Sequence, residues 1–202
     1  MHRSLPQALL LSGPSGVGKG TLCALLLKEF PEHFAFSVSH TTRQPRRGET
    51  SGVQYHFVAR ETMEPMIQKG DFVEHALVHG ELYGTSFAEL RRIEAAGKVA
   101  LLDVEMHGVR SIKAHKQVAA YCVGVVPPSF SELETRLRGR RTETEEQVQT
   151  RLERARLDVV FCRHDPLVDE LIVNFNSWST GYPILRRLVH KWFPERFPEA
   201  PF

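Results

Sequence analysis

The chain has 202 residues, 42% of them hydrophobic, with 26 Lys and Arg against 24 Asp and Glu and a formal charge of +2. That length supports one well-buried core and falls short of two ordinary independent domains, while the near-balance of charge exerts no global pull toward nucleic acid or membrane. The three cysteines, Cys23, Cys122 and Cys162, are too widely spaced for a zinc site or a disulfide framework and fit a reducing compartment.

The first predicted element is a short apolar strand, Ala8 to Leu11, read as a buried strand and not as a signal peptide. It runs into Gly13-Pro14-Ser15-Gly16-Val17-Gly18-Lys19-Gly20-Thr21, and the apolar run Leu22 to Leu27 then predicts a helix that Pro31 stops. Phe34 to Val38 is a second strand, followed by a polar, basic stretch from Ser39 to Gly52 that breaks the rhythm. Tyr55 to Val58 and Phe72 to Leu77, around a helix at Thr62 to Gln68, predict a small mixed lobe. Helix returns at Phe87 to Ala96, closed by Gly97, and Val99 to Val104 is a buried parallel strand carrying Asp103 near its end. A helix at Val109 to Ala114 leads to the strand Ala119 to Val126, closed by Pro127 and Pro128. Glu132 to Arg156 is highly charged and predicts a solvated helical hairpin. Leu171 to Phe175 is the last strand, and Thr180 to Phe193 an amphipathic helix with Ile184, Leu185, Leu188 and Trp192 on one face.

Strands alternating with helices imply an α/β fold in three layers, with a parallel central sheet and ligands at the carboxyl ends of its strands. The glycine loop and Asp103 both sit at such an end and are expected to meet. The two interruptions then become covers over one cleft. The loop matches the P-loop pattern G-x-x-x-x-G-K-[ST] except at Gly20, where Ser or Thr is expected. Its backbone N–H groups and the start of the helix form a nest for phosphate, and Lys19 can reach the terminal phosphates of a nucleotide. The missing hydroxyl leaves Thr21 or ordered water for the usual place beside Mg²⁺. Ser39 to Glu49 offers hydroxyls and arginine forks; a second phosphate site and a merely solvated basic turn both fit it from its residues alone. Tyr55 and Tyr83 add phenol donors, and Glu74 lies on a strand among Phe72, Val73 and Ala76.

In order along the chain, G-P-S-G-V-G-K-G-T, F-S-V-S-H-T-T-R-Q-P-R-R-G-E, Y-H-F, F-V-E-H-A, Y-G-T-S, L-D-V-E-M-H-G-V and R-R-T-E-T-E-E together resemble the guanylate kinase family. The resemblance covers nearly the whole chain, and its T-T-R-x-P-R and R-x-T-E-T-E-E segments are more specific than the glycine loop. It implies transfer of the γ-phosphoryl group of ATP to GMP or dGMP on a P-loop fold with a small GMP-binding lobe and a helical lid. The corresponding division is core at 1–37, 88–127 and 159–202, lobe at 38–87 and lid at 128–158. By the same resemblance Arg43, Arg46, Tyr55 and Tyr83 hold the GMP phosphate. Ser39, Glu74, Thr85 and Asp103 hold guanine. Guanine presents two adjacent donors that one carboxylate, Glu74, can accept, whereas adenine would leave that carboxylate unpartnered.

The catalytic cations implied are Lys19, Arg43 and the lid arginines Arg136, Arg140 and Arg151. ATP falls on residues Gly13 to Thr21, on Arg140 and on Asn174, which corresponds to a position near adenine. Mg²⁺ is expected with ATP, with no site made of protein ligands alone; Asp103 and Glu105 either orient its waters or serve the guanine pocket. His107 stands where the family would lead one to expect glutamine. An adenylate kinase would share G-K-G-T, but Glu74 and T-T-R-x-P-R oppose it. A guanylate-kinase-like scaffold module that binds phosphopeptides would carry a degraded loop and appended modules. Nucleic acid is not an expected partner, because Glu143, Glu145, Glu146 and Glu153 interleave with the lid arginines and no stacking aromatics accompany them. A histidine metal pair at His75 and His79 is not expected from their placement on a strand and its turn. No membrane association, a cytoplasmic location and a monomer or weak homodimer complete the expectation.

Overall fold

A computed structural model describes residues 7–78, 80–139 and 144–197. Five strands, β1 (Gln7–Ser12), β2 (Phe34–Phe36), β7 (Val99–Asp103), β8 (Ala119–Val126) and β9 (Glu170–Val173), form one parallel sheet in the order β2-β7-β1-β8-β9. The central strand β1 pairs on both sides, Leu11 lying opposite Asp103 of β7 and Val123 of β8. A strand flanked on both edges and covered on both faces must be apolar throughout, and Ala8 to Leu11 are wholly buried.

The two-residue alternation of that strand divides the core. Leu9 and Leu11 face the layer of α1 (Lys19–Glu29) and α7 (Tyr182–Trp192), among Leu22, Leu26 and Leu185. Ala8 and Leu10 face the opposite side, with Leu90 of α3 (Phe87–Ala95), Val109 of α4 (Met106–Ala114) and Phe161 of α6 (Glu145–His164). Each leucine so enclosed contributes about 1.5–3 kcal/mol relative to exposure. Cys23, Cys122 and Cys162 are free and buried in these layers, and burial pushes their thiols well above the ordinary range, which leaves them inert packing groups.

A second sheet, in the order β4-β3-β6-β5, is built from β3 (His40–Thr41), β4 (His56–Phe57), β5 (Phe72–Val78) and β6 (Glu81–Ser86), with α2 (Arg60–Gln68) beside it. It is mixed: β3 runs parallel to β4, while β6 is antiparallel to both β3 and β5. The strand β6 is absent from the sequence expectation because its pattern is broken by Gly84. A Cβ there would stand 2.8 Å from the Phe72 ring and 2.9 Å from the carbonyl of Glu74, so the close approach of β5 demands glycine.

The charged segment folds as the helical pair α5 (Phe130–Gly139) and α6, but it is not merely solvated. Leu133, Leu137, Val148 and Ala155 form a third small core with Phe130 and Leu152 against it. Thr144 caps α6 in a reciprocal capping box with Gln147, and Arg138 links Glu134 to Glu145 across the pair. At the other end, α7 is shorter than expected, because Ser177–Gly181 forms a π-turn capped by the Asn176 side chain. No helix among the described residues is long and apolar enough to cross a membrane.

Candidate active site

The site begins where β1 ends. Gly18 precedes α1 with φ +103° and offers no side-chain cap, so the first N–H groups of the helix face the loop interior. A Cβ at Gly18 would also stand 2.6 Å from Asn174 Nδ2. Asn174 explains that crowding: at 1% exposure it donates through Nδ2 to the Val17 carbonyl (2.7 Å) and Ser177 Oγ (3.0 Å). The residue expected near adenine therefore grips the loop from beneath, with no side-chain face toward solvent.

Lys19 folds back over the loop, donating to the carbonyls of Gly13 (2.7 Å) and Pro14 (3.3 Å), and lies 3.5 Å from Asp103. The expected meeting of loop and β7 thus takes the form of an ion pair. Asp103 keeps about a third of its side-chain surface, yet it sits deep in the cleft. Desolvation raises its carboxyl above the usual range, with Lys19 opposing and Glu105 reinforcing that shift. Thr21 is exposed, and a Cβ at Gly20 would meet nothing within 4 Å. Asp103, 3.5 Å from the Lys19 ammonium, offers hard oxygens of the kind that orient the waters of a Mg²⁺ carried by phosphate. Among the described residues no cluster of three or more His, Cys, Asp or Glu could hold a metal by itself.

On the second sheet, β5 and β6 place Glu74 opposite Thr85. The Thr85 hydroxyl donates to Glu74 Oε1 at 2.6 Å, and a side chain at Gly108 would stand against Oε2, its Cβ 3.6 Å away. Burial raises the Glu74 carboxyl above its ordinary value, while Thr85 opposes the shift. Arg43 is held by Glu49 (3.0 Å) and lies 5.5 and 5.6 Å from the ring centres of Tyr55 and Phe57. Tyr55 meets Tyr83 edge-on at 5.8 Å. Burial and Tyr83 raise the Tyr55 phenol, with Arg43 opposing and Glu49 and Asp103 adding to the shift. Arg46 is exposed and its backbone N–H donates to Glu49, while Ser39 is half-buried at the start of β3.

The arginines of α5 and α6 divide. Arg151 donates to Ser15 Oγ at 2.6 Å, carrying α6 onto the glycine loop, and Arg154 pairs with Glu105 at 3.0 Å. Arg136 donates to the carbonyls of Asn174 (3.1 Å) and Phe175 (2.8 Å) and pairs with Glu132, so it pins α5 to the end of β9. Arg140, Glu143 and His79 lie outside the described residues. His107 is exposed in the first turn of α4.

Glu89 is a buried carboxylate beside the site that sequence reasoning missed. Four per cent exposed, it accepts from the Val38 N–H (3.1 Å) and from Arg92 (2.8 Å), tying the segment between β2 and β3 to α3. Ser86 with Glu89 three residues on was a capping signature that could have marked it, and the Ser86 hydroxyl does accept from the Glu89 N–H. A larger concavity, about 450 Å³ and lined by Ile67, His75, Leu77 and Leu82, lies on the lobe away from the groups just described.

The guanylate kinase family model matches residues 6–185. Guanylate kinase 1 of Oryza sativa subsp. japonica is 51% identical over 90% of this chain, which spans only 47% of that longer protein. Guanylate kinase of Sus scrofa is 48% identical over 91% of this chain and 92% of its own. The crystal structure of guanylate kinase from Anaplasma phagocytophilum superposes with a TM-score of 0.66 at 27% identity, covering all of both chains. A family match over most of the residues, agreeing with a relative of nearly equal length, means that this chain belongs to the guanylate kinase family.

Proposed function

We propose that this protein transfers the γ-phosphoryl group of ATP to GMP or dGMP, giving ADP and GDP or dGDP. The observation that carries the reading is the pairing of Glu74 with Thr85 in the same cleft as the Lys19 loop. A half-buried carboxylate held by one hydroxyl has acceptor capacity left for two adjacent donors, and N1–H with the 2-amino group of guanine supplies them.

In the reaction, a phosphate oxygen of GMP attacks the γ-phosphorus as the bond to the β–γ bridging oxygen breaks, and ADP leaves with that electron pair. Little covalent work falls to the protein, which must align the reactants and offset charge spreading over the transferred group. Arg43, Arg46, Tyr55 and Tyr83 hold the acceptor phosphate; Arg43 is already oriented by Glu49 and two rings. The loop N–H groups and Lys19 hold the donor, with Lys19 exchanging its carbonyl partners for phosphate oxygens. Asp103 and Glu105 would orient the waters of a Mg²⁺ ion brought by ATP, which would supply neutralisation of phosphate charge. Arg136, Arg140 and Arg151 bring further cations from residues 128–158, acting as a lid over a core and a lobe at 38–87. The buried free thiols fit a cytoplasmic protein, acting as a monomer or weak homodimer.

A steady-state comparison of GMP, dGMP, AMP and UMP as acceptors tests this. GMP and dGMP are expected to exceed AMP in kcat/KM by at least about 10³, and Lys19→Ala to lower kcat by about 10³. AMP turnover equal to that of GMP would sink the assignment.

A further inference from the structure

Two stretches of chain join the sheet β4-β3-β6-β5 to the five-stranded sheet: residues 37–39, between β2 and β3, and the junction of β6 with α3 at Ser86 and Phe87. In the first, Ser37 belongs to the five-stranded side, its N–H donating to the Leu101 carbonyl at 2.9 Å. Ser39 belongs to the other side, its carbonyl accepting from the His56 N–H at 2.8 Å. Val38 is where the chain crosses, and its N–H goes to neither sheet but to Glu89 Oε1 at 3.1 Å. In the second stretch, the Ser86 hydroxyl accepts from the N–H of Glu89 itself at 3.2 Å. One residue of α3 therefore holds both crossings.

Arg92 donates to both carboxylate oxygens of Glu89 at 2.8 Å, and His56, packed on His40 with ring centres 4.7 Å apart, brings Nε2 to 3.8 Å from Oε2. An ion pair three residues apart on a helix needs no burial. The Glu89 side chain is nonetheless only 3% exposed against 61% for Arg92, and what its depth gains is reach to Val38. Next to the two crossings stand residues of the base pocket: Ser39 follows Val38, and Thr85 precedes Ser86. Element-terminal residues of this kind absorb the rotation of one body on another. Resting on the GMP reading above, we propose that Glu89 is a positioning residue for the acceptor, pinning both crossings so that Ser39 and Thr85 are presented to guanine in one orientation of the lobe to the phosphate loop.

Steady-state kinetics and thermal melts of wild type, Glu89→Ala, Glu89→Gln and Arg92→Ala test it. They are joined to spin-label distances between Lys28→Cys and Lys69→Cys, exposed positions on α1 and at the end of α2 in a chain whose own thiols are buried. Glu89→Ala is expected to raise the KM for GMP about tenfold or more, with the KM for ATP within about twofold of wild type. Glu89→Gln keeps an oxygen for Val38, and Arg92→Ala leaves the carboxylate in place. Both are therefore expected to lower Tm while the KM for GMP stays within about threefold of wild type. If Glu89→Ala does not fold, Glu89→Asp, one methylene short of Val38, carries the same expectation. A KM for GMP unmoved in that variant, or one that rises in step with the loss of Tm across all the variants, overturns the proposal. The distance measurement needs no nucleotide. A distribution that broadens in Glu89→Ala and not in Arg92→Ala, in a protein that never phosphorylates GMP, would refute the activity and leave the pin standing; one unchanged in Glu89→Ala overturns the pin whatever the activity.

Discussion

On the proposed function, replacing Glu74 by Gln changes one atom of the base pocket and should change which base is accepted. In the folded protein the Thr85 hydroxyl holds Oε1 at 2.6 Å, so a glutamine that keeps this bond turns its Nε2 toward the guanine donors. Each hydrogen bond to a charged acceptor is worth about 1.5–3 kcal/mol, so losing both lowers kcat/KM for GMP by about 3–6 kcal/mol, at least a hundredfold. If the amide flips instead, one guanine bond survives, Thr85 loses its acceptor, and the loss is about half as large. Inosine monophosphate, which keeps N1–H and lacks the 2-amino group, separates the two contacts. Wild type should prefer GMP over it by about 10- to 150-fold, and Glu74→Gln should bring that ratio close to one. Because burial raises the Glu74 carboxyl, wild-type kcat/KM should also fall on the acid side as the carboxylate protonates, whereas the variant should lack that limb. Steady-state assays with both acceptors across pH measure all of this. A GMP-to-inosine ratio unchanged in Glu74→Gln would refute the base-reading role outright.

Gly84→Ala puts a Cβ 2.8 Å from the Phe72 ring and 2.9 Å from the Glu74 carbonyl. Overpacking of this kind costs about 1–3 kcal/mol, so thermal unfolding should begin several degrees lower, with the KM for GMP raised because β5 carries Glu74; an unchanged Tm would show that β5 yields freely. Glu89 is burdened by its own desolvation, yet hydrogen bonds from Arg92 and the Val38 N–H hold its carboxyl below the ordinary value. A depressed folded pKa gives stability that is complete above the unfolded value of about 4.3 and lost as pH falls through the folded one. Glu89→Gln should therefore lower Tm at neutral pH and narrow the gap from wild type toward pH 3, which a pH series of melts would reveal; a gap constant with pH would contradict it.

Sequence was most informative where local chemistry and tertiary placement coincide. The apolar run of β1, the glycines after it and the strand ending at Asp103 describe one end of a parallel sheet, and the fold brings Lys19 to Asp103 there. It was least informative where a residue's neighbours come from distant segments. Strand β6 was hidden by Gly84, whose reason is the approach of Phe72 from another strand. The apolar seam of the lid pairs Leu133 and Leu137 with Val148 and Ala155 across a turn, and charged residues dilute each half below a recognisable stripe. Asn174 carried a family position but no sign that it would face inward to Val17, a contact across 157 residues. Arg136 and Arg151 look alike in sequence, yet one pins the lid to backbone carbonyls and the other touches the phosphate loop.

Unmatched polar groups in this cleft are sorted by sign, and that sorting fits the proposed reaction of two substrates. At the guanine end the surplus is of acceptors. Burial raises Glu74 and Asp103 alike, and Glu105 adds its charge to both shifts, so the folded chain gains nothing from ionising them there. At the phosphate end the surplus is of donors: uncapped N–H groups at the start of α1, and a lysine whose hydrogen bonds go to loop carbonyls. The two surpluses meet only in the Lys19–Asp103 ion pair at 3.5 Å, and Glu74 stands on the other sheet. On the proposed reading, guanine of the acceptor supplies donors to the first end and the phosphates of the donor nucleotide supply acceptors to the second. An adenine acceptor would leave the Glu74 carboxylate as it was, so discrimination would rest on relieving an existing penalty and not on adding contacts. Preorganised groups left unpaired in the free protein also weaken its fold, and the stability given up at Glu74 reappears as selectivity when guanine binds.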